Sequence, residues 1–403
     1  MRNILFVRPI TVFCLSLLFA VCHAGGGAVP PDEPFPESGE HASEAGKVAD
    51  AEPPPPGATP VVALASLPDL AGIIPQLAAK RVVFVGETHN RYDHHLNQLE
   101  IIRELHARDP KLAIGMEFFQ QPFQQHLDDY VEGTIDLREL LVRTEYYERW
   151  RLDFRHYAPI IEFAREHRIP VIALNAPSEI TKQIGRGGLD SLSEKERAQI
   201  PAEIDRSDDD YRRRLKAIFA KHPKGKDSAF EHFVDVQLVW DETMAQRTAE
   251  YLTSNPAHRM VVLAGGGHFA YGSGIPARVQ RRIDVDSAIV LNGVNGRIEA
   301  GIADYLLFPV QRELPAAGRL GILLKSDDSG VSVGELGKNS AAQEAGIRAG
   351  DVILALNDVA IAGNADVRIA MWDKRPGDTV TVKMRRERVL RTDQELSIDV
   401  TLR

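Results

Sequence analysis

Cysteine is nearly absent from this chain: of its 403 residues only Cys14 and Cys22 are cysteines, both within the first 24 positions. The remainder can form no disulfide and no thiolate metal site, which excludes redox chemistry through sulfur. Histidine is missing from the last third. All 13 histidines lie at or before His268, so chemistry that uses imidazole belongs to the earlier part of the chain. Positive charge is not in excess either. The 48 Lys and Arg stand against 57 Asp and Glu, a formal net charge of −9, and no basic stripe offers a footprint for nucleic acid. No apolar run reaches the ~20 residues that a membrane-spanning helix needs.

What is present begins with a leader. Arg2 and Arg8 precede an apolar run at 10–21, a length that predicts a signal peptide over residues 1–24 and an exported protein. Cys22 has two readings. Leu18-Phe19-Ala20-Val21-Cys22 resembles a lipoprotein box with an acylated cysteine, although Val21 is bulkier than the small residue usual before that cysteine. Cleavage after Ala24 is the alternative, with Cys22 and Ala24 as its small residues. Residues 25–60 hold nine of the 24 prolines among Gly, Glu and Ala, and such a stretch predicts a disordered linker. The 44% apolar and 26% charged content is that of a globular protein with a sizeable core, and the length suggests two or three units.

Folding is expected from residue 61. Apolar runs recur at 82–85, 112–116, 171–174, 260–264 and 288–291, and helical patterns fill 93–107 and 157–167 between them. This alternation predicts an α/β fold with a mostly parallel sheet and helices on both faces. Residues 178–259 read as a helical insertion. Ser193 opens one of its helices as a capping box with Glu196, 208–221 reads as a solvated charged helix, and 228–252 carries the stripe Phe233, Val236, Trp240, Met244 and Thr248, read as core. After Gly318 short strands and glycines predict a small β-rich domain, which divides the folded chain into 61–317 and 318–403.

Following each strand to its C-terminal end collects Glu87 and His89, then Glu117, Asn175 and His268. In an open parallel sheet those ends share the edge where ligands bind. Gly-x-x-His occurs twice, as Gly86-Glu87-Thr88-His89 and Gly265-Gly266-Gly267-His268, with glycine leaving room beside the imidazole. Imidazole and carboxylate so gathered suit a metal ion or haem iron, or a base beside bound water. Satisfied polar caps at a sheet edge are the plainer reading, and Asn175 in particular is a common turn residue. His94 and His95 open the following helix, with Gln98 on the face of His94; both are in reach of a ligand above the sheet, although paired histidines at a helix start are expected to face solvent. Tyr146, Tyr147 and Tyr157 with Trp150, Phe154, Phe118 and Phe119 supply phenols and an apolar wall.

These residues resemble the ChaN family of haem-binding uptake proteins within the Tiki/TraB/erythromycin-esterase superfamily. The likeness rests on Val85-Gly86-Glu87-Thr88-His89, Gly115-Met116-Glu117-Phe118-Phe119, the strand at 171–175 with Pro177, the segment from Gln237 through Trp240 and Asp241 to Ala245, and Gly265-Gly266-Gly267-His268-Phe269. It implies a haem-binding domain on the cell envelope, periplasmic or outer-membrane associated in a Gram-negative bacterium, often lipid-anchored, and used for iron uptake. A homodimer is one expected assembly. The implied pocket maps onto Glu87, His89, Glu117 and His268, with Tyr146, Tyr157 and His94 as further haem-ligand candidates. The superfamily's hydrolytic branches imply the alternative, a metal-dependent hydrolase in which His89, Glu117 and His268 bind a divalent ion and Glu87 is the general base.

The tail is similar to a PDZ domain. Arg319-Leu320-Gly321-Ile322 resembles its carboxylate-binding loop, and the segment from Ser340 through Gly346, Gly350 and Asp351 to Ile353 matches the bacterial form. That resemblance implies capture of a peptide or protein C-terminus by Leu320, Gly321 and Ile322, with the peptide adding a strand to the sheet edge. A PDZ domain that only packs against its neighbour is the plainer alternative.

Overall fold

The structure, a computed structural model, describes residues 67–220, 227–293, 298–327, 330–387 and 392–403. The leader with Cys22, the proline-rich linker and residues 61–66 lie outside them.

Five apolar runs become strands of one parallel sheet: β1 (Val82–Glu87), β2 (Leu112–Gln120), β3 (Val171–Asn175), β4 (Arg259–Gly265) and β5 (Ser287–Asn292). A sixth, β6 (Tyr305–Leu307), was not expected from sequence, because it is three half-buried residues long. The order is β3-β2-β4-β1-β5-β6, and every pairing is parallel. Alternation along β1 sends Val83 and Val85 into one core and Val82 and Phe84 into the other. Each such burial contributes about 1.5–3 kcal/mol, which is why Val82, Val83, Phe84 and Val85 read as core.

Helices cover both faces. The first face packs α1 (Leu70–Ala78), α2 (Tyr92–Arg108), α3 (Gln124–Glu132), α4 (Leu137–Arg143), the short α5 (Tyr146–Arg149) and α6 (Ala158–Glu166). The insertion supplies α7 (Ser178–Gly187), α8 (Glu194–Arg197), α9 (Asp209–Phe219) and the long α10 (Asp227–Ser254), and α11 (Ile275–Arg282) follows β4. Met244, Ala245 and Leu252 of α10 with Ile275 and Val279 of α11 form the second face's core. Ser193 and Glu196 make the expected capping box. Two expectations change in degree. In α9, Tyr211 and Leu215 are buried rather than solvated. The α10 stripe is core at Val236, Met244 and Thr248, while Phe233 and Trp240 are half-buried.

The tail folds as an antiparallel sheet in the order β12-β11-β9-β8-β7, from β7 (Ile322–Asp327), β8 (Gly330–Leu336), β9 (Val352–Leu356), β11 (Thr379–Arg386) and β12 (Gln394–Thr401), with β10 (Val359–Ala360) paired to β9. It also carries α12 (Ala341–Glu344) and α13 (Asn364–Met371). The second of these helices serves two cores. Val367 and Ala370 belong to the tail's own cluster, whereas Ile369 lies in that of the first domain. Among the described residues, no helix is long and apolar enough to cross a membrane.

Candidate functional site

Strand order brings the two Gly-x-x-His corners together. β4 lies between β2 and β1, and Glu87 pairs with Gly265; Glu87 and Gly265 end their strands, and Glu117 follows Met116, the last residue of β2 paired with β4. Gly265 is the floor between the imidazoles. A Cβ there would meet His89 Cε1 at 3.1 Å and Nε2 at 3.2 Å, and His268 Cδ2 at 3.7 Å. A side chain there would press on the His89 ring while only touching that of His268.

Glu87 organises one half. Its Oε1 accepts from His89 Nδ1–H at 2.8 Å and from the Tyr157 hydroxyl at 3.0 Å, while Oε2 accepts from Gln98 Nε2–H at 2.8 Å. Trp150 Nε1–H donates to the Tyr157 oxygen at 3.2 Å. Gln98 also donates to Val85 O, so its Oε1 is left to accept from His95 Nδ1–H at 3.1 Å, and His95 Nε2–H donates to His89 O at 3.0 Å. Both partners of His95 are acceptors, which makes it an imidazolium, 3.4 Å from Glu87. Burial opposes that charge, but Glu87 outweighs it and raises the pKa. Burial likewise works to raise the Glu87 pKa, and the charge of His95 with the bonds from both histidines holds it well below the usual range.

The other half is a carboxylate–imidazole–carboxylate row. His268 Nδ1–H donates to Asp241 Oδ1 at 2.5 Å, and Nε2 faces Glu117 Oε1 at 3.4 Å. Asp241 also accepts from the Tyr211 hydroxyl at 2.6 Å, and Glu117 from Gly265 N–H at 2.7 Å. Although burial disfavours the cation, Asp241 and Glu117 raise the His268 pKa to about 10. His268 is therefore placed as a buried cation with both ring nitrogens facing carboxylates, not as a lone-pair donor.

His89 is different. Its Nδ1–H is fixed by Glu87, and among the described residues its Nε2 faces no acceptor; 12% of its side chain is exposed, edge-on to Trp150 with ring centres 4.9 Å apart. A carboxylate behind one nitrogen orients the other for a ligand.

The remaining candidates are elsewhere engaged. His94 and His95 are 2% and 1% exposed, which corrects the expectation that they face solvent. His94 Nδ1 accepts from Thr88 N–H at 3.0 Å, and burial pushes its pKa down to about 4. Tyr146 lies in an aromatic core against Phe154, Tyr147 and Phe119, and Tyr157 is held by Glu87 and Trp150. Asn175 accepts from Ala176 N–H as a turn residue does. Among the described residues no group of three or more His, Cys, Asp or Glu side chains is arranged to hold a metal ion. The divalent-ion site expected at His89, Glu117 and His268 is thus not supported, because the carboxylates already bind the imidazoles and Gly265 N–H. Glu87, saturated by donors, is placed to orient a base rather than to be one.

Asp241, His95, Gln98 and Tyr211 complete the cluster; His95 and Gln98 were noted near the start of the helix after His89, whereas Asp241 and Tyr211 were not assigned to the rim from sequence. Asp241 did carry a signal, a carboxylate within the Gln237–Ala245 motif on the face that carries Met244 and Ala245.

In the tail, Gly321 has φ 71° and its carbonyl accepts from Gly337 N–H at 2.8 Å, while Leu320 is buried. Ile322 opens β7, which ends the sheet; among the described residues no strand pairs with its outer side. A free edge beside such a loop is the arrangement that strand addition requires.

Comparison with known proteins agrees with this division. The family model "Haem-binding uptake, Tiki superfamily, ChaN" matches residues 73–279, half of the chain, and the chain belongs to that family. A PDZ-domain model matches residues 318–402, so a ChaN-like haem-binding domain is joined to a PDZ domain. The solved structure of ChaN of Campylobacter jejuni with cofacial haem is 20% identical, covering 58% of this chain and 89% of its own, with a TM-score of 0.48. An HtrA-type protease AlgW with decapeptide is 19% identical over 21% of this chain and 29% of its own, with a TM-score of 0.19. A curated relative from Chlamydia muridarum, described as "Probable periplasmic serine endoprotease DegP-like", is 29% identical over 127 residues, 32% of this chain. The chain spans about a quarter (24%) of that relative's length.

Proposed function

We propose that this is an exported envelope protein of a Gram-negative bacterium that takes up haem as an iron source and recruits a peptide or protein C-terminus through its PDZ domain. The observation that carries the haem reading is His89: a carboxylate-backed imidazole, 12% exposed beside Trp150, whose second ring nitrogen faces no acceptor among the described residues. The cluster behind it is packed. A shallow indentation of about 360 Å³, lined by Gln246, Glu250 and Arg282, lies at the far end of α10 instead. Haem in this reading lies over the rim against His89 and Trp150, as cargo, and Glu87 sets the ring that meets the iron. Titrating the mature protein with haem yields a saturable Soret shift at micromolar protein, which His89→Ala abolishes; no shift in the wild type sinks the reading.

The PDZ domain supplies Leu320, Gly321 and Ile322 and the open edge of β7 for the peptide. Export leaves either an acylated Cys22 or cleavage after Ala24, and detergent partitioning of the mature protein separates the two. A haem-linked homodimer is tested by sedimentation with and without haem.

The Glu87–His89 pair also suits metal-free hydrolysis, with His89 Nε2 taking a proton from water. Ester and peptide substrates that stay intact with wild-type protein, or are cut equally by His89→Ala, rule that out.

A further inference from the structure

Residues 145–151, which carry α5, stand out in the first domain. Glu145 (φ 50°) and Arg151 (φ 68°) bound the segment, both left-handed and neither a glycine. Such residues persist only where their surroundings hold them. Between them lies Trp150, the indole that meets His89 edge-on and reaches Glu87 through the Tyr157 hydroxyl. Whatever holds this segment therefore holds the wall of the rim.

Two clamps do so. Arg149 binds the segment to its own domain, with hydrogen bonds to Glu145, Gln120, Ser178 and Glu179. The second clamp comes from the PDZ domain. Arg368 on α13 donates from Nη1 to the Arg151 carbonyl at 2.6 Å and lies 4.8 Å from the centre of the Tyr147 ring. Among the described residues it pairs with no carboxylate. Trp372, just past α13, meets Phe154 edge-on at 6.1 Å, and Ile369 is 2% exposed within the first domain's core.

We propose that the PDZ domain completes the ligand rim, with Arg368 as a positioning residue that fixes the Arg151 end of this segment and so sets Trp150 against His89. Guanidinium suits the task, since its planar fork both donates to a carbonyl and stacks on a ring, and lysine reproduces only the first. The inference rests on the haem reading for its binding readout and on the contacts alone for its spectroscopic one.

The experiment uses the full mature chain and four proteins: wild type, Arg368→Ala, Trp150→Phe and the double variant, with Arg368→Lys as the conservative control. Arg368→Ala raises the haem dissociation constant about fivefold, within the range over which packed networks couple two sites, and Arg368→Lys recovers part of the loss. The double variant binds no more weakly than the weaker single, because both changes act through one contact. Independently of haem, the Trp150 indole N–H resonance, marked by its bond to Tyr157, shifts in Arg368→Ala. An unmoved resonance overturns the inference whether or not haem binds, as do losses that multiply in the double variant or an unchanged dissociation constant in Arg368→Ala. Absence of haem binding in the wild type overturns the haem reading alone.

Discussion

Which nitrogen carries a proton decides what each rim histidine can do. His95 and His268 sit between acceptors and are cations; His89 shares Glu87 with His95, and among the described residues its second ring nitrogen faces no acceptor. The two Gly-x-x-His corners and Glu117 were legible as a rim, since each ends an apolar run. Their hydrogen-bond partners were not, because Gln98 and Asp241 reach the rim from other elements. The same geometry predicts a pH profile. The pKa of His268 is about 10 in the folded chain and about 6.5 unfolded, so its contribution is full below about pH 6.5 and is lost as pH rises toward 10. Urea unfolding at steps across that window shows falling wild-type stability and a flatter profile for His268→Gln. Equal slopes in the two proteins contradict the buried cation.

Elements succeed or fail as sequence signals according to how much of their environment is local. β1 and β4 are buried on both faces and read as unbroken apolar runs. β6 is too short to announce itself, and the buried side of α9 is invisible until Asp241 of α10 stands opposite Tyr211. His95 was expected in solvent because it opens a helix, yet Tyr157, far along the chain, packs over that first turn with ring centres 4.5 Å apart. The central position of β4 carries a stability prediction. Leu263 is fully buried in the first core, and Leu263→Ala costs about 2–5 kcal/mol by its lost contacts and the cavity left behind. A loss below 1 kcal/mol in chemical denaturation contradicts the packing described.

As a whole molecule the chain is two folds that share a helix. Composition and glycine spacing separated them at Gly318, but no sequence pattern disclosed that α13 would face both cores, since Val367, Arg368, Ile369 and Ala370 read as an ordinary amphipathic turn. Arg138 and Asp358 add an exposed ion pair across the junction at 3.2 Å, a contact of the kind worth little alone. The open side of β7 has a consequence for handling the protein. Among the described residues this strand edge is unpaired and open to another molecule's edge, and Leu323, 51% exposed, is an adhesive side chain on it. Lys325, also exposed on β7, acts as a gatekeeper against such contact. Concentrated, guest-free protein should therefore self-associate through this strand. Light scattering against concentration is lowered by Leu323→Lys and raised by Lys325→Val, and if neither substitution changes it, the edge is not adhesive.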